Sequence, residues 1–151
     1  YIKYVERKPE KFTQIGLIIF DIDDFKQVND TFGHIVGDEV IRLVAEKLQF
    51  NVRTSDLIER HGGDEFLLLI EQIHFHAALV IANKMLNEIA DSELYIAEIN
   101  QNIQISVSAG VAVGAVSWMA LLEKADKSLF KAKARGKNAV DNCVTHPYVD
   151  A

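Results

Sequence analysis

The chain has 151 residues, 49% hydrophobic and 25% charged, a near-average globular balance in which disorder is not expected and one domain, 1–151, can build a sizeable core. Its formal net charge of -6 leaves no electrostatic footprint for wrapping a nucleic-acid polymer. Cys143 is the only cysteine, which excludes a disulfide framework or cysteine-based zinc site and fits a reducing, cytoplasmic setting.

No apolar run approaches the ~18 residues of a membrane span, so no membrane contact is expected of this stretch. The first residue is Tyr1 rather than Met, which points to a piece of a longer protein whose other regions could carry an anchor or a sensor. IGLIIFDID (Ile15 to Asp23) is a short, nearly continuous apolar run ending in acid, the pattern of a central strand covered on both faces. From Gly37 onward Val40, Leu43, Val44 and Leu48 take the spacing of an amphipathic helix. DLIER and EFLLLIE then flank Gly62 and Gly63 as a hairpin, with the glycines read as turn residues at positive φ.

Ala78, Ala82, Met85 and Ile89 mark a second helix, its polar positions Asn83, Lys84, Asn87 and Glu88 facing elsewhere. His74 and His76 precede it; spaced by two at a helix start, they diverge around the axis and predict solvent and core edges, not a metal pair. After a polar loop, IQISVSAGVAV predicts a strand with alternating faces. Trp118, Leu121, Leu122, Ala125, Leu129 and Ala132 trace a third helix, with Ser117 as its cap, Trp118 as a core anchor and Gly136 as its stop. NAVDNCV predicts a short last strand. The order β-α-β-β-α-β followed by α-β is an α+β arrangement whose first six elements match a ferredoxin-like sheet with helices on one face.

In such a sheet the first strand is central and the hairpin pairs beside it, which brings Asp21 near Asp64 and Glu65. Carboxylates this close repel, and one must protonate unless a cation joins them. A hard divalent ion such as Mg²⁺ removes the conflict, because it uses few carboxylates and completes its shell with water and phosphate. Strand alternation forbids Asp64 and Glu65 from both facing Asp21 in regular structure. Either the turn distorts the pair or the two have different jobs, and different jobs are expected. The competing reading takes Asp21, Asp23 and Asp24 as turn and cap residues only.

DIDDFKQVNDTFGHIVGD, RHGGDEF, ISVSAG and ADKSLFKAKARGKN together resemble the GGDEF family of diguanylate cyclases, in order and over most of the chain. The resemblance implies a ferredoxin-like βαββαβ palm, as in nucleotidyl cyclases and polymerases, with an additional C-terminal helix and short strand. It also implies the condensation of two GTP molecules into cyclic di-GMP with release of two pyrophosphates, performed by a homodimer. Mg²⁺, or Mn²⁺ in its place, is the implied cofactor.

By that resemblance Asp21 and the Ile22 carbonyl bind metal, while Asp64 and Glu65 serve metal binding and catalysis. Asn29 and Asp38 read guanine, and a carboxylate at position 38 suits guanine's paired donors. His34 belongs to the substrate site, or caps the helix beyond Gly33. Lys26 offsets charge on the leaving pyrophosphate. Lys133 and Lys137 bind phosphate, although the usual arginine of the GRN pattern is lysine in GKN, which keeps charge and loses the bidentate fork. Arg53 and Asp56 fit an RxxD product-inhibition motif, with a surface ion pair as the plain alternative. A DxLTGLxNR opening, usual in the family, is missing. Two other functions stay open here: a silent module that only binds GTP or cyclic di-GMP, and another palm-type cyclase acting on ATP.

Overall fold

A computed structural model describes residues 14–114 and 117–144; the opening stretch where a DxLTGLxNR segment would end lies outside them. Eleven elements follow in order. They are β1 (Ile15–Ile22), α1 (Phe25–Phe32), α2 (His34–Phe50), β2 (Leu57–Arg60), β3 (Glu65–Glu71), α3 (Phe75–Ala90), β4 (Glu93–Ile96), β5 (Gln101–Gln104), β6 (Val107–Gly114), α4 (Trp118–Ala134) and β7 (Val140–Val144).

The main sheet has the order β2-β3-β1-β6-β7. β1 runs antiparallel to both β3 and β6, and β7 is added parallel to β6. The first four strands of that order are the expected palm, and β7 extends it at one edge.

β1 is buried at every position because helices cover both of its faces. Ile18, Phe20 and Ile22 pack with Val40, Val44 and Leu48 of α2 and Ala78, Ala82, Met85 and Ile89 of α3. On the other face Ile15, Leu17 and Ile19 pack with Leu121, Ala125 and Leu129 of α4. Each fully buried aliphatic side chain contributes about 1.5–3 kcal/mol. The two helices of the palm therefore share one face, and α4 closes the other. Trp118 is only partly buried, packed against that second cluster.

α4 rides directly on the backbone of β6. A Cβ at Gly110 would lie 2.1 Å from the Ala125 carbonyl oxygen and 2.4 Å from the Leu129 nitrogen. Ser117 caps α4, its Oγ accepting from Ala120 N–H at 3.3 Å, and Gly136 leaves it at φ 110°. Close approach at Gly110 is what lets the last turn of α4 reach the end of β1.

Four local expectations need correction. The helix predicted from Gly37 begins at His34 and is preceded by α1; Gly33, at φ 87°, breaks the two apart in a conformation that L side chains disfavour. The polar loop contains the β4–β5 hairpin, and IQISVSAGVAV is shared between β5 and β6. β6 is buried throughout rather than alternating, since α3 and α4 both pack on it. His74 and His76 are both exposed, so neither reaches a core edge. Among the described residues, no helix is long and apolar enough to cross a membrane.

Candidate active site

Side chains alternate across a strand, so the row Ile15, Leu17, Ile19 on the α4 face of β1 continues into Asp21. Glu65, the first residue of β3, is its cross-strand partner and continues the row of Leu67 and Leu69. Asp64 lies one residue before the strand, in the turn, and its carbonyl accepts from Ile22 N–H at 3.0 Å. Because the turn is irregular, alternation does not bind Asp64. Both Asp64 and Glu65 act electrostatically on Asp21. Asp64 therefore acts from the turn and Glu65 from the strand.

The turn is held from behind. The Arg60 guanidinium donates to the Gly63 carbonyl at 2.8 Å and 3.2 Å and to that of Gly62 at 3.1 Å. Neither glycine sits in the left-handed region, which corrects the positive-φ reading of the pair. A Cβ on Gly63 would meet nothing within 4 Å, so the fold itself does not demand glycine there.

Asp21 is buried, and its Oδ2 accepts from Lys133 Nζ at 2.6 Å. Burial raises its pKa from 3.8 to about 6; Lys133 pulls it down, while Asp64 and Glu65 push it up. Its other oxygen, Oδ1, is buried without a hydrogen-bond partner, an arrangement that costs free energy unless something donates or coordinates there. Among the described residues no three His, Cys, Asp or Glu side chains gather closely enough to hold a metal alone. The ammonium of Lys133 supplies the counter-charge that repelling carboxylates require. Asp64 and Glu65 act on Asp21 electrostatically, and the groups expected to ligate, these three carboxylates and the Ile22 carbonyl, are all oxygen donors. That chemistry and the orphaned Oδ1 fit a hard divalent cation whose remaining ligands come from outside the chain.

The other acids of DIDD have separate work. Asp23 is buried and accepts from Ser106 Oγ at 2.6 Å, Ser108 Oγ at 2.7 Å and Asn138 N–H at 2.9 Å. It ties the end of β1 to the start of β6 and to the loop after α4. Asp24, at φ 53°, occupies the N-cap position of α1 without a side-chain cap and pairs with Lys137. The adjacent carboxylate raises the pKa of Lys137. The turn-and-cap reading thus fits the backbone positions of Asp23 and Asp24, while their side chains bond elsewhere, and it does not describe Asp21.

Lys26 is exposed on the first turn of α1. Asn29 lies further along α1, against α2 at Gly37. His34 and Asp38 are both exposed on the first turns of α2. Gly33 holds the N-cap position, so His34 is not the cap. Arg53 and Asp56 form a small turn: Arg53 N–H donates to Asp56 Oδ2 at 2.8 Å, and Asp56 N–H to the Arg53 carbonyl at 3.0 Å. Both line a hollow of about 130 Å³ with Lys84 and Met85 of α3 and Leu68 of β3. Leu68 belongs to the core under α2 and α3, so this hollow lies across the sheet from Asp21.

Sequence reasoning assigned no role to Arg60, Ser106, Ser108, Asn138 or Lys84. An arginine two residues before a glycine pair was the one readable signal among them; the others depend on tertiary contacts.

The family model described as diguanylate cyclase, GGDEF domain, matches residues 3–139. The chain belongs to the GGDEF domain family. This GGDEF domain is similar to response regulator PleD of Caulobacter vibrioides (strain NA1000 / CB15N), 39% identical over 129 residues, 83% of this chain and 28% of the relative. It is 36% identical over 131 residues to diguanylate cyclase DosC of Escherichia coli (strain K12), 85% of this chain and 28% of that one. The chain thus spans 28% of the length of these curated relatives. The solved GGDEF domain of DgcB from Caulobacter crescentus, in complex with c-di-GMP, superposes with a TM-score of 0.88 at 30% identity, covering 93% of this chain and 84% of that one.

Proposed function

We propose that this GGDEF domain is a diguanylate cyclase that condenses two GTP into cyclic di-GMP as a homodimer. The observation that carries this reading is the meeting of Asp21 with Asp64 and Glu65, from two remote segments, around a buried oxygen that lacks a donor.

In each half-reaction a ribose 3′-oxygen attacks the α-phosphorus of the other GTP, the bond to the β-phosphate bridging oxygen breaks, and pyrophosphate leaves. When bound, a divalent cation, Mg²⁺ or Mn²⁺, held by Asp21, the Ile22 carbonyl, Asp64 and Glu65, supplies Lewis acidity for the phosphate and the attacking hydroxyl. Asp64 or Glu65 takes the hydroxyl proton; both are half-buried at the start of β3, accessible to substrate. Gly62 and Gly63 leave the turn's backbone uncovered, so a triphosphate can approach it closely.

Lys26, Lys133 and Lys137 balance the charge of the departing pyrophosphate. In the chain alone Lys133 and Lys137 rest on Asp21 and Asp24, so ligand binding exchanges these carboxylates for phosphates. Asn29 and Asp38 read guanine, and His34 sits at the same entrance. One domain presents one GTP, which is why two copies are required. Such chemistry draws on the GTP pool of the cytoplasm. Product inhibition is assigned to Arg53 and Asp56, whose hollow can take a phosphate or guanine edge.

Incubation with GTP and Mg²⁺, read by product mass over a series of protein concentrations, tests the proposal. Cyclic di-GMP should appear with a rate that rises more steeply than protein concentration, and Asp64→Ala should abolish it. GTP left unchanged by the concentrated, folded chain would refute the reading.

A further inference from the structure

Gly37 lies inside α2, where glycine costs stability relative to alanine. Its φ is not in the left-handed region, so the backbone does not call for glycine. What occupies the place of its missing side chain is the carboxamide of Asn29. A Cβ on Gly37 would lie 1.9 Å from Asn29 Oδ1 and 3.0 Å from its Cγ. That Oδ1 is buried and has no hydrogen-bond partner. The carboxamide is therefore held by shape, with its oxygen end turned in toward Gly37. Planarity directs the donor end, Nδ2, away from α2, and Asp38 is the next residue along the helix.

We propose that Gly37 is a positioning residue for base recognition: its bare backbone forms the slot that seats the Asn29 carboxamide, donor outward, beside the Asp38 carboxylate. Asp38 offers acceptor oxygens to guanine's adjacent N1–H and N2 amine, a donor pair that adenine lacks, and the Asn29 amide adds a donor for an acceptor on the same base. The inference rests on the assignment of Asn29 and Asp38 to guanine. A methyl group at position 37 displaces the free end of one flexible side chain, so the fold tolerates it while the donor loses its aim.

The test uses the full chain with Mg²⁺ and 3′-deoxy-GTP, which keeps guanine and triphosphate but lacks the attacking hydroxyl. 3′-Deoxy-ATP is the reference. Gly37→Ala should weaken 3′-deoxy-GTP binding about tenfold, the worth of one well-placed hydrogen bond, and leave 3′-deoxy-ATP binding unchanged. Asn29→Ala should show a similar loss, and the double variant should bind no more weakly than Asn29→Ala alone. The thermal midpoint of Gly37→Ala should equal or exceed that of the wild type, since alanine is the better helix former.

Wild-type binding by Gly37→Ala beside a weakened Asn29→Ala would overturn the role of Gly37. So would a Gly37→Ala loss that persists in the Asn29→Ala background. Wild-type binding by Asn29→Ala would instead sink the guanine assignment, and the inference with it. Should Gly37→Ala fail to fold, the double variant, which lacks the carboxamide, must fold; failure of both overturns the slot.

Discussion

Replacing Asp21 by asparagine keeps the shape of the side chain and removes its charge, which makes the energetic cost of this buried carboxylate measurable. Asp21 is 6% exposed, and its pKa in the folded chain is raised from 3.8 to about 6. Each tenfold change in proton affinity corresponds to about 1.4 kcal/mol, so the ionised form carries a penalty of about 3 kcal/mol. That figure already contains the help given by Lys133, which lowers the value, and the hindrance from Asp64 and Glu65, which raises it.

The folded chain binds this proton more tightly than the unfolded chain, so the contribution is favourable below the unfolded value. It is lost as pH rises through the window between 3.8 and about 6. Without metal, Asp21→Asn should therefore be more stable than the wild type at pH 8, by up to about 3 kcal/mol, or about 6–12 °C in Tm for a chain of this size. The difference should vanish near pH 4. Urea unfolding of both proteins across that range, with chelator present, measures it. Loss of stability in Asp21→Asn at pH 8 would show that the Lys133 pair outweighs desolvation and would refute the reasoning. Asp21→Asn should also lose cyclase activity, so stability and function would move in opposite directions at one residue.

Arg60→Ala removes three hydrogen bonds to the carbonyls of Gly62 and Gly63 at an exposed site. Stability should change by less than about 1 kcal/mol, while product formation should fall about tenfold or more; unchanged activity would show that the turn holds itself. Gly110→Ala places a Cβ 2.1 Å from the Ala125 carbonyl oxygen, a backbone atom that cannot swing aside. Urea unfolding should show a loss of about 3 kcal/mol or more, with activity reduced because α4 carries Lys133 away from Asp21. Arg53→Ala should hold its rate as cyclic di-GMP accumulates, where the wild type slows, and equal slowing of both would remove the RxxD assignment.

The palm was legible because its strands announce themselves. IGLIIFDI has no solvent-facing position, and the acid that ends it sits at a strand terminus, where a buried row meets the surface. α1 was not legible. Its Phe25, Val28 and Phe32 pack only partly against the core and are interleaved with Asn and Asp, which compete for turns. The β4–β5 hairpin was hidden for a related reason: Glu93, Tyr95, Gln101, Asn102 and Gln104 are exposed, Ile96 and Ile103 are its buried positions, and Leu94 packs only partly against the core. Too few buried positions remained to reveal a period.

The same contrast governs the site. The neighbourhood of Asp64 and Glu65 with Asp21 followed from strand order alone. Asp23 looked equivalent to Asp21 in sequence, yet two serines and a backbone N–H engage it, whereas Asp21 retains an oxygen with no donor. Burial alone does not separate the two acids, since they are 6% and 7% exposed. What separates them is hydrogen-bond satisfaction, which depends on Ser106, Ser108 and Asn138 arriving from more than 80 positions away. A carboxylate that already accepts three hydrogen bonds has little capacity left for a cation, and one with an orphaned oxygen has more. The difference between Asp21, with its orphaned oxygen, and Asp23, with three donors, is therefore a property of the tertiary fold, and the repeat of aspartates in the chain carries no trace of it.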